Sequence, residues 1–221
     1  MFERVTLARV LPFAIYIAFL PLQQLLEAQG VSKPDLRYLY LLQIGCVLGC
    51  LGYFRHEYSE LRSKLPLAQV LLALVVGLVV FVLWINLHQP WMMIKSKTVP
   101  LDWRAAGEAL DWALIVVRWC GAALVVPVME ELFWRSFLMR WIDNPDFMQA
   151  APGDTTLKAF VITAALFAVE HSLILAGFVA GLAYNFLYRR SQNLWSPILA
   201  HAITNGVLGL WVLQTGNWSY W

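Results

Sequence analysis

Two adjacent glutamates, Glu130 and Glu131, lie in an apolar stretch, Val-Pro-Val-Met-Glu-Glu-Leu-Phe-Trp-Arg, that ends on Arg135. On a helix of 3.6 residues per turn, neighbouring side chains point about 100° apart, so the two carboxylates cannot share one task. Glu131 and Arg135 are four apart, on one face and in the favourable acid-before-base order. They are expected to form a buried ion pair. Glu130 is then left to face elsewhere as a proton acceptor in apolar surroundings, the chemistry of a general base acting on water. The competing reading is an interfacial helix end with solvated charges.

Two further clusters follow. Phe167-Ala168-Val169-Glu170-His171 closes an apolar run. A histidine there is either a packing residue or a second base. Glu170 beside it either holds the imidazole or sits at the interface, and stays secondary because helix neighbours do not face each other. In Pro197-Ile198-Leu199-Ala200-His201-Ala202-Ile203-Thr204-Asn205, His201 and Asn205 share a face. Both can donate toward one point, which is what a developing oxyanion in a dry pocket requires. The alternative is a polar clamp between helices.

The elements that must position these groups are membrane helices. The 221 residues are 60% hydrophobic and only 14% charged, with a mean hydropathy of +0.63. Soluble domains are about 25% charged, so the surplus apolar surface reads as chain solvated by lipid. Spans of near-membrane length are expected at Leu7–Leu26, Leu36–Phe54, Leu67–Leu87, Trp112–Val128, Leu157–His171, Leu173–Tyr188 and Leu194–Leu213. Pro127 interrupts the fourth, and Met129–Trp141 continues it as a charged helical pattern. The fifth and sixth are short and meet at Glu170-His171-Ser172. The expected fold is all-α: one polytopic transmembrane bundle of about seven to eight helices over residues 1–221. The first run is read as a retained helix, since no small-x-small cleavage site precedes Gly30.

Charge adds an orientation. With the N-terminus cytoplasmic, that side receives Arg4, Arg9, Arg55, Arg62, Lys64, Arg140, Lys158, Arg189 and Arg190; the other receives Lys33, Arg37, Lys95, Lys97 and Arg104. The positive-inside rule favours this arrangement. A net charge of +2, spread among loops, gives no sign of nucleic-acid binding. Cys46, Cys50 and Cys120 fall in apolar runs and read as small packing residues. Trp84, Trp91, Trp103, Trp195 and Trp218 read as interfacial belts rather than binding residues. Gly45-x-x-x-Gly49 and Gly177-x-x-x-Gly181 are spacings that let helices approach closely. His56 and His88 lie in loops and receive no role.

Ionisable groups in a membrane core cost about 2.5–3.5 kcal/mol each even on lenient scales. Three such clusters on separate helices of the C-terminal half are expected to satisfy one another in a shared cavity. Their order, Glu-Glu-x-x-x-Arg (Glu130, Glu131, Arg135), Phe-x-x-x-His (Phe167, His171) and His-x-x-x-Asn (His201, Asn205), resembles the CAAX prenyl protease and bacteriocin-processing family, also called the abortive-infection family. The matching region is residues 125–213. The wording Glu-Glu-Leu-Phe-Trp-Arg-Ser-Phe, Phe-Ala-Val-Glu-His and Ala-His-Ala-Ile-Thr-Asn is similar to a bacterial subgroup associated with exosortase and PEP-CTERM protein sorting.

The resemblance implies an intramembrane endopeptidase of the bacterial inner membrane that cuts near the C-terminus of a membrane-associated or lipidated protein. Glu130 with His171 would activate water. His201 and Asn205 would stabilise the oxyanion, and Glu131, Arg135, Phe167 and Glu170 would support the site. Membrane lipid, a peptide or protein substrate and sorting components are the implied partners, with no cofactor. Two alternatives stand beside it. One is a zinc-dependent peptidase with Glu and two His as ligands, although no His-Glu-x-x-His helix is present. The other is a non-catalytic scaffold or chaperone of a sorting or immunity system.

Overall fold

A computed structural model of the chain describes residues 3–94 and 111–220. Lys95, Lys97, Trp103 and Arg104, used above for orientation and belts, lie outside the described residues. The fold is all-helical, with seven helices and no strand among the described residues. They are α1 (Arg4–Ala28), α2 (Lys33–Tyr53), α3 (Leu67–Asn86), α4 (Trp112–Trp141), α5 (Leu157–Val169), α6 (Ile174–Ser191) and α7 (Trp195–Thr215). Side chains start three of them: Ser32 accepts from Asp35 N–H, Asp111 from Leu114 N–H and Thr156 from Ala159 N–H, each relieving an orphan donor of a first turn.

Five helices, all but α5 and α6, are long and apolar enough to cross a membrane. This revises the expectation of about seven spans. The 13 residues of α5 rise only about 20 Å, against a hydrocarbon core of about 30 Å. α6 carries Tyr184, Asn185 and Tyr188, which it buries inside the bundle, so it serves as an internal wall. Large apolar side chains are exposed instead on α1, α2 and α3, among them Leu25, Leu42, Leu71 and Val75, as expected of a lipid-facing surface. α1 packs on α2, α3 on α7 and α5 on α6.

Close approach depends on glycine at two places. A Cβ on Gly181 would lie 2.9 Å from the Ala164 Cα of α5, and one on Gly77 would lie 2.5 Å from the Ala200 carbonyl oxygen of α7. In both cases backbone is the obstacle. Gly181→Ala is expected to push α6 off α5 and to lower the unfolding temperature in detergent, by the 1–3 kcal/mol typical of overpacking. Gly177 fits the same helix pair, with Ala168 Cα 3.1 Å from its virtual Cβ. Gly45 and Gly49, expected to act likewise, have nothing within 4 Å of a built Cβ; they lie on a face that no described residue covers.

Pro127 does not end the fourth span. α4 runs through it by widening to a π-helix over Gly121–Val125, and again over Leu132–Leu138. In the first wide turn Val126 N–H reaches the Gly121 carbonyl. The Ala122 carbonyl would next need a donor from position 127, where proline has none. Asn205 Nδ2 of α7 donates to it instead, at 2.9 Å. The wide turns thereby re-aim the residues between them, a placement π-bulges commonly have near functional sites.

A polar network that the sequence did not announce closes one end of the bundle. Arg9 of α1 is fully buried and donates to both Glu60 carboxylate oxygens, to Ser136 Oγ at 3.0 Å and to the Val5 and Glu57 carbonyls. Ser136 Oγ donates to Glu60 in turn, and Arg140 Nη1 is 3.9 Å from Glu60. Arg9 and Arg140 are therefore buried partners, not the solvated loop charges assumed for orientation. Burial by itself would raise the Glu60 carboxyl, but the Arg9 charge and its hydrogen bonds outweigh burial and hold it below the usual carboxylate range. A depressed folded-state value means this stabilisation is complete above the ordinary carboxylate range and is lost as pH falls through the lower, folded value. Glu60→Gln is expected to flatten the acid limb of stability against pH, read by thermal unfolding from neutral pH down to about pH 3.

Candidate active site

The three motif-bearing segments meet in one cavity of about 210 Å³. Glu130, His171, His201 and Asn205 all line it, together with Tyr16, Trp84, Arg118, Phe167, Tyr184 and Tyr220. Trp84 near the end of α3, His171 after α5 and Tyr220 after α7 place the cavity toward the end of the bundle where those three helices finish.

Glu131 and Arg135 stand behind this wall. Both are fully buried, and Arg135 Nη1 donates to Glu131 Oε1 at 3.1 Å, the pair expected from their spacing. Arg135 is held further by Asn185, whose Oδ1 accepts from Nε at 3.0 Å, and by the Gly181 carbonyl at 3.4 Å. Asn185 Nδ2 donates to the Phe160 carbonyl at 2.8 Å, which fixes the orientation of its amide. The guanidinium also lies over the Phe167 ring, 4.6 Å from its centroid, which gives Phe167 a cation–π contact.

Glu131 has a second partner that the motif spacing did not indicate. Its Oε1 lies 2.9 Å from His201 Nδ1. Nδ1–H donates to the carboxylate, so His201 Nε2 is the nitrogen facing Glu130, 4.0 Å from its Oε2. That is too long for a hydrogen bond. Tyr184 stacks on the His201 ring at 4.9 Å, and its hydroxyl donates to Thr204 at 2.8 Å. Glu130 Oε2 is buried and has no hydrogen-bond partner.

His171 is not held by Glu170. Its Nδ1 lies 2.8 Å from the Phe167 carbonyl, which can only accept, so Nδ1 carries the proton and Nε2 is left as an acceptor. Trp84 meets the ring edge-on at 5.2 Å; it walls the cavity rather than only marking an interface. Glu170 itself is exposed and does not line the cavity. Asn205 has committed one of its two amide hydrogens to Ala122, leaving the other for the cavity.

Residues 112–207 match the family model of type II CAAX prenyl endopeptidases described as Rce1-like. That segment is similar to the Rce1-like family. The matched segment begins with α4 and ends within α7, so it holds every motif residue named above. It does not separate out the exosortase-associated subgroup. No curated protein and no solved structure matches the chain. The description of that family is of an endopeptidase. Among the described residues, no three His, Cys, Asp or Glu side chains are grouped as a metal site would need.

Sequence reasoning missed Arg118, Tyr16, Trp84 and Asn185. Arg118 and Asn185 did carry a signal, a charge and an amide inside apolar helical runs.

Proposed function

We propose that this chain is an intramembrane endopeptidase of the CAAX-protease type, hydrolysing a peptide bond near the C-terminus of a membrane-associated protein. The observation that supports it is the sharing of one cavity by Glu130, His171, His201 and Asn205, with the buried Glu130 Oε2 lacking a hydrogen-bond partner.

Glu130 accepts a proton from water, and His171 Nε2 is the second acceptor that orients that water. The hydroxide so formed attacks the scissile carbonyl carbon, and the proton passes to the leaving amine. The oxyanion is met by the remaining amide hydrogen of Asn205 and by His201 Nε2. Nε2 donates only when the ring carries both protons, and the Glu131 carboxylate at Nδ1 is the partner such a ring needs, as in the Ser-His-Asp arrangement. Arg135 and Asn185 fix that carboxylate. The chain is read as a multi-pass protein of the bacterial inner membrane, its N-terminus cytoplasmic.

The test is cleavage of membrane-tethered peptides by protein reconstituted in liposomes, followed by mass spectrometry. Cleavage by the wild type that is absent in Glu130→Ala and His171→Ala, both still folded, is expected. Full activity in Glu130→Ala rejects the reading.

A further inference from the structure

We propose that Pro127 is a positioning residue for the reaction. By withholding a backbone N–H from the wide turn of α4, it makes Asn205 close that turn and so fixes the amide hydrogen that Asn205 presents to the oxyanion. This rests on the peptidase reading, which assigns Asn205 to the oxyanion.

A proline inside a helix removes one hydrogen bond and crowds the preceding turn. In membrane helices the loss is tolerated because neighbouring groups satisfy the freed acceptor. Here the neighbour is a residue of the cavity. Val126 N–H is spent on the Gly121 carbonyl, Pro127 has no N–H, and Asn205 Nδ2 serves the Ala122 carbonyl at 2.9 Å. Ala122 and Asn205 both line the cavity. A carbonyl only accepts, so this bond settles which end of the amide is nitrogen. With one amide hydrogen tied down, the planar group fixes the direction of the other. An amide free to rotate could turn its Oδ1 to the same place, where it would repel an oxyanion instead of donating to it.

The backbone of α7 is held separately. Trp119 Nε1 of α4 donates to the Gly206 carbonyl at 2.8 Å, one residue on from Asn205. A Cβ on Gly206 would stand 3.7 Å from the Ala123 Cβ, so the wide turn and α7 touch here. The two hydrogen bonds run in opposite directions between the same stretches of α4 and α7. Trp119 sets the height of Asn205 along α4, and the open carbonyl sets the angle of its side chain. Only the second depends on Pro127. Any other residue at that position supplies an N–H. The Ala122 carbonyl then takes a backbone donor, from position 127 if the turn stays wide or from Val126 if it closes to an ordinary α-turn. Asn205 is released in either case. A small misplacement of a positioned group can cost on the order of 10²-fold in rate, even when the altered residue is remote from the chemistry.

The experiment uses the full chain in lipid nanodiscs and the membrane-tethered peptide that the wild type cuts. Pro127→Ala is compared with a protein carrying lactic acid at position 127, introduced by nonsense suppression, whose backbone ester lacks both the ring and the N–H. The Ala variant is expected to lose about 10- to 100-fold in kcat with KM unchanged, the mark of an interaction made only in the transition state. Its unfolding midpoint should stay the same or rise, since a helix hydrogen bond is restored. The ester variant should keep most of the wild-type kcat. Pro127→Val restores the same N–H and serves if the Ala variant fails to fold. A second measurement needs no substrate. Asn205→Ala should lower the unfolding midpoint when residue 127 is proline, because the Ala122 carbonyl loses its donor. It should cost much less in the Pro127→Ala background. Wild-type kcat in Pro127→Ala overturns the proposal and leaves the peptidase reading standing. So does an ester variant as slow as the Ala variant, which would assign the effect to the ring. So does an equal cost of Asn205→Ala in the two backgrounds. If the wild type cuts no peptide, the peptidase reading falls and the midpoints decide alone: unequal costs keep Pro127 as the residue that fixes the Asn205 amide, and equal costs overturn that as well.

Discussion

Replacing Glu130 by Gln is expected to reduce peptide cleavage by about 10²- to 10⁴-fold, the usual worth of a positioned general base, with the unfolding temperature unchanged or raised. The second half of that expectation is the discriminating one. Glu130 is 7% exposed and its Oε2 has no hydrogen-bond partner, while His201 Nε2 stays 4.0 Å away. A carboxylate held in this way costs stability without recovering it through contacts. Glutamine keeps the shape and removes the charge, so a structural role for Glu130 predicts a less stable protein and a catalytic role predicts an inactive, stable one. The measurement is kcat and KM on a reconstituted peptide substrate beside thermal unfolding of the same preparation. A variant that is destabilised but still turns over makes Glu130 a structural residue and removes it from the role of general base.

Arg135→Met is expected to give the opposite pattern, a loss of about 3–5 kcal/mol of stability together with activity. Removing one member of a buried pair leaves the other charge uncompensated. Here the guanidinium also satisfies Asn185 Oδ1 and the Gly181 carbonyl, so three acceptors on α4 and α6 lose a donor at once. Glu131 keeps only His201. The double variant Glu131→Gln, Arg135→Met removes both charges and should recover part of the stability, a coupling of about 0.5–3 kcal/mol. Its activity should stay low, because His201 loses the carboxylate that fixes its Nδ1 proton. Unfolding midpoints in detergent give the cycle. With the Glu131→Gln single variant completing the cycle, a double variant whose loss equals the sum of the two single losses would show that the charges of Glu131 and Arg135 are not coupled.

Much of this site was legible from local geometry. The rise of a helix places Glu131 under Arg135 whatever surrounds them, and their ion pair is present at 3.1 Å. The same geometry turns Glu130 away from that pair, and it lines the cavity. The apolar surplus likewise required lipid-facing helices, and five long ones are there.

The failures share a cause. Arg9, 51 residues from Glu60 and 127 from Ser136, looks like an ordinary loop-side cation until α1, the α2–α3 connection and α4 are packed together. His171 lies beside Glu170 in the chain, yet the hydrogen bond its ring makes is to the Phe167 carbonyl, one turn back. Pro127 looks like the end of a span because a local rule removes one donor. The helix continues because Asn205, 83 residues from Ala122, serves the carbonyl left open there. The residue types and their spacing along single helices thus determined that costly polar groups exist here and which face of each helix they occupy. Which of those groups become one another's partners was decided only by packing, because a buried donor accepts whichever acceptor the bundle brings within 3 Å, however distant in the chain.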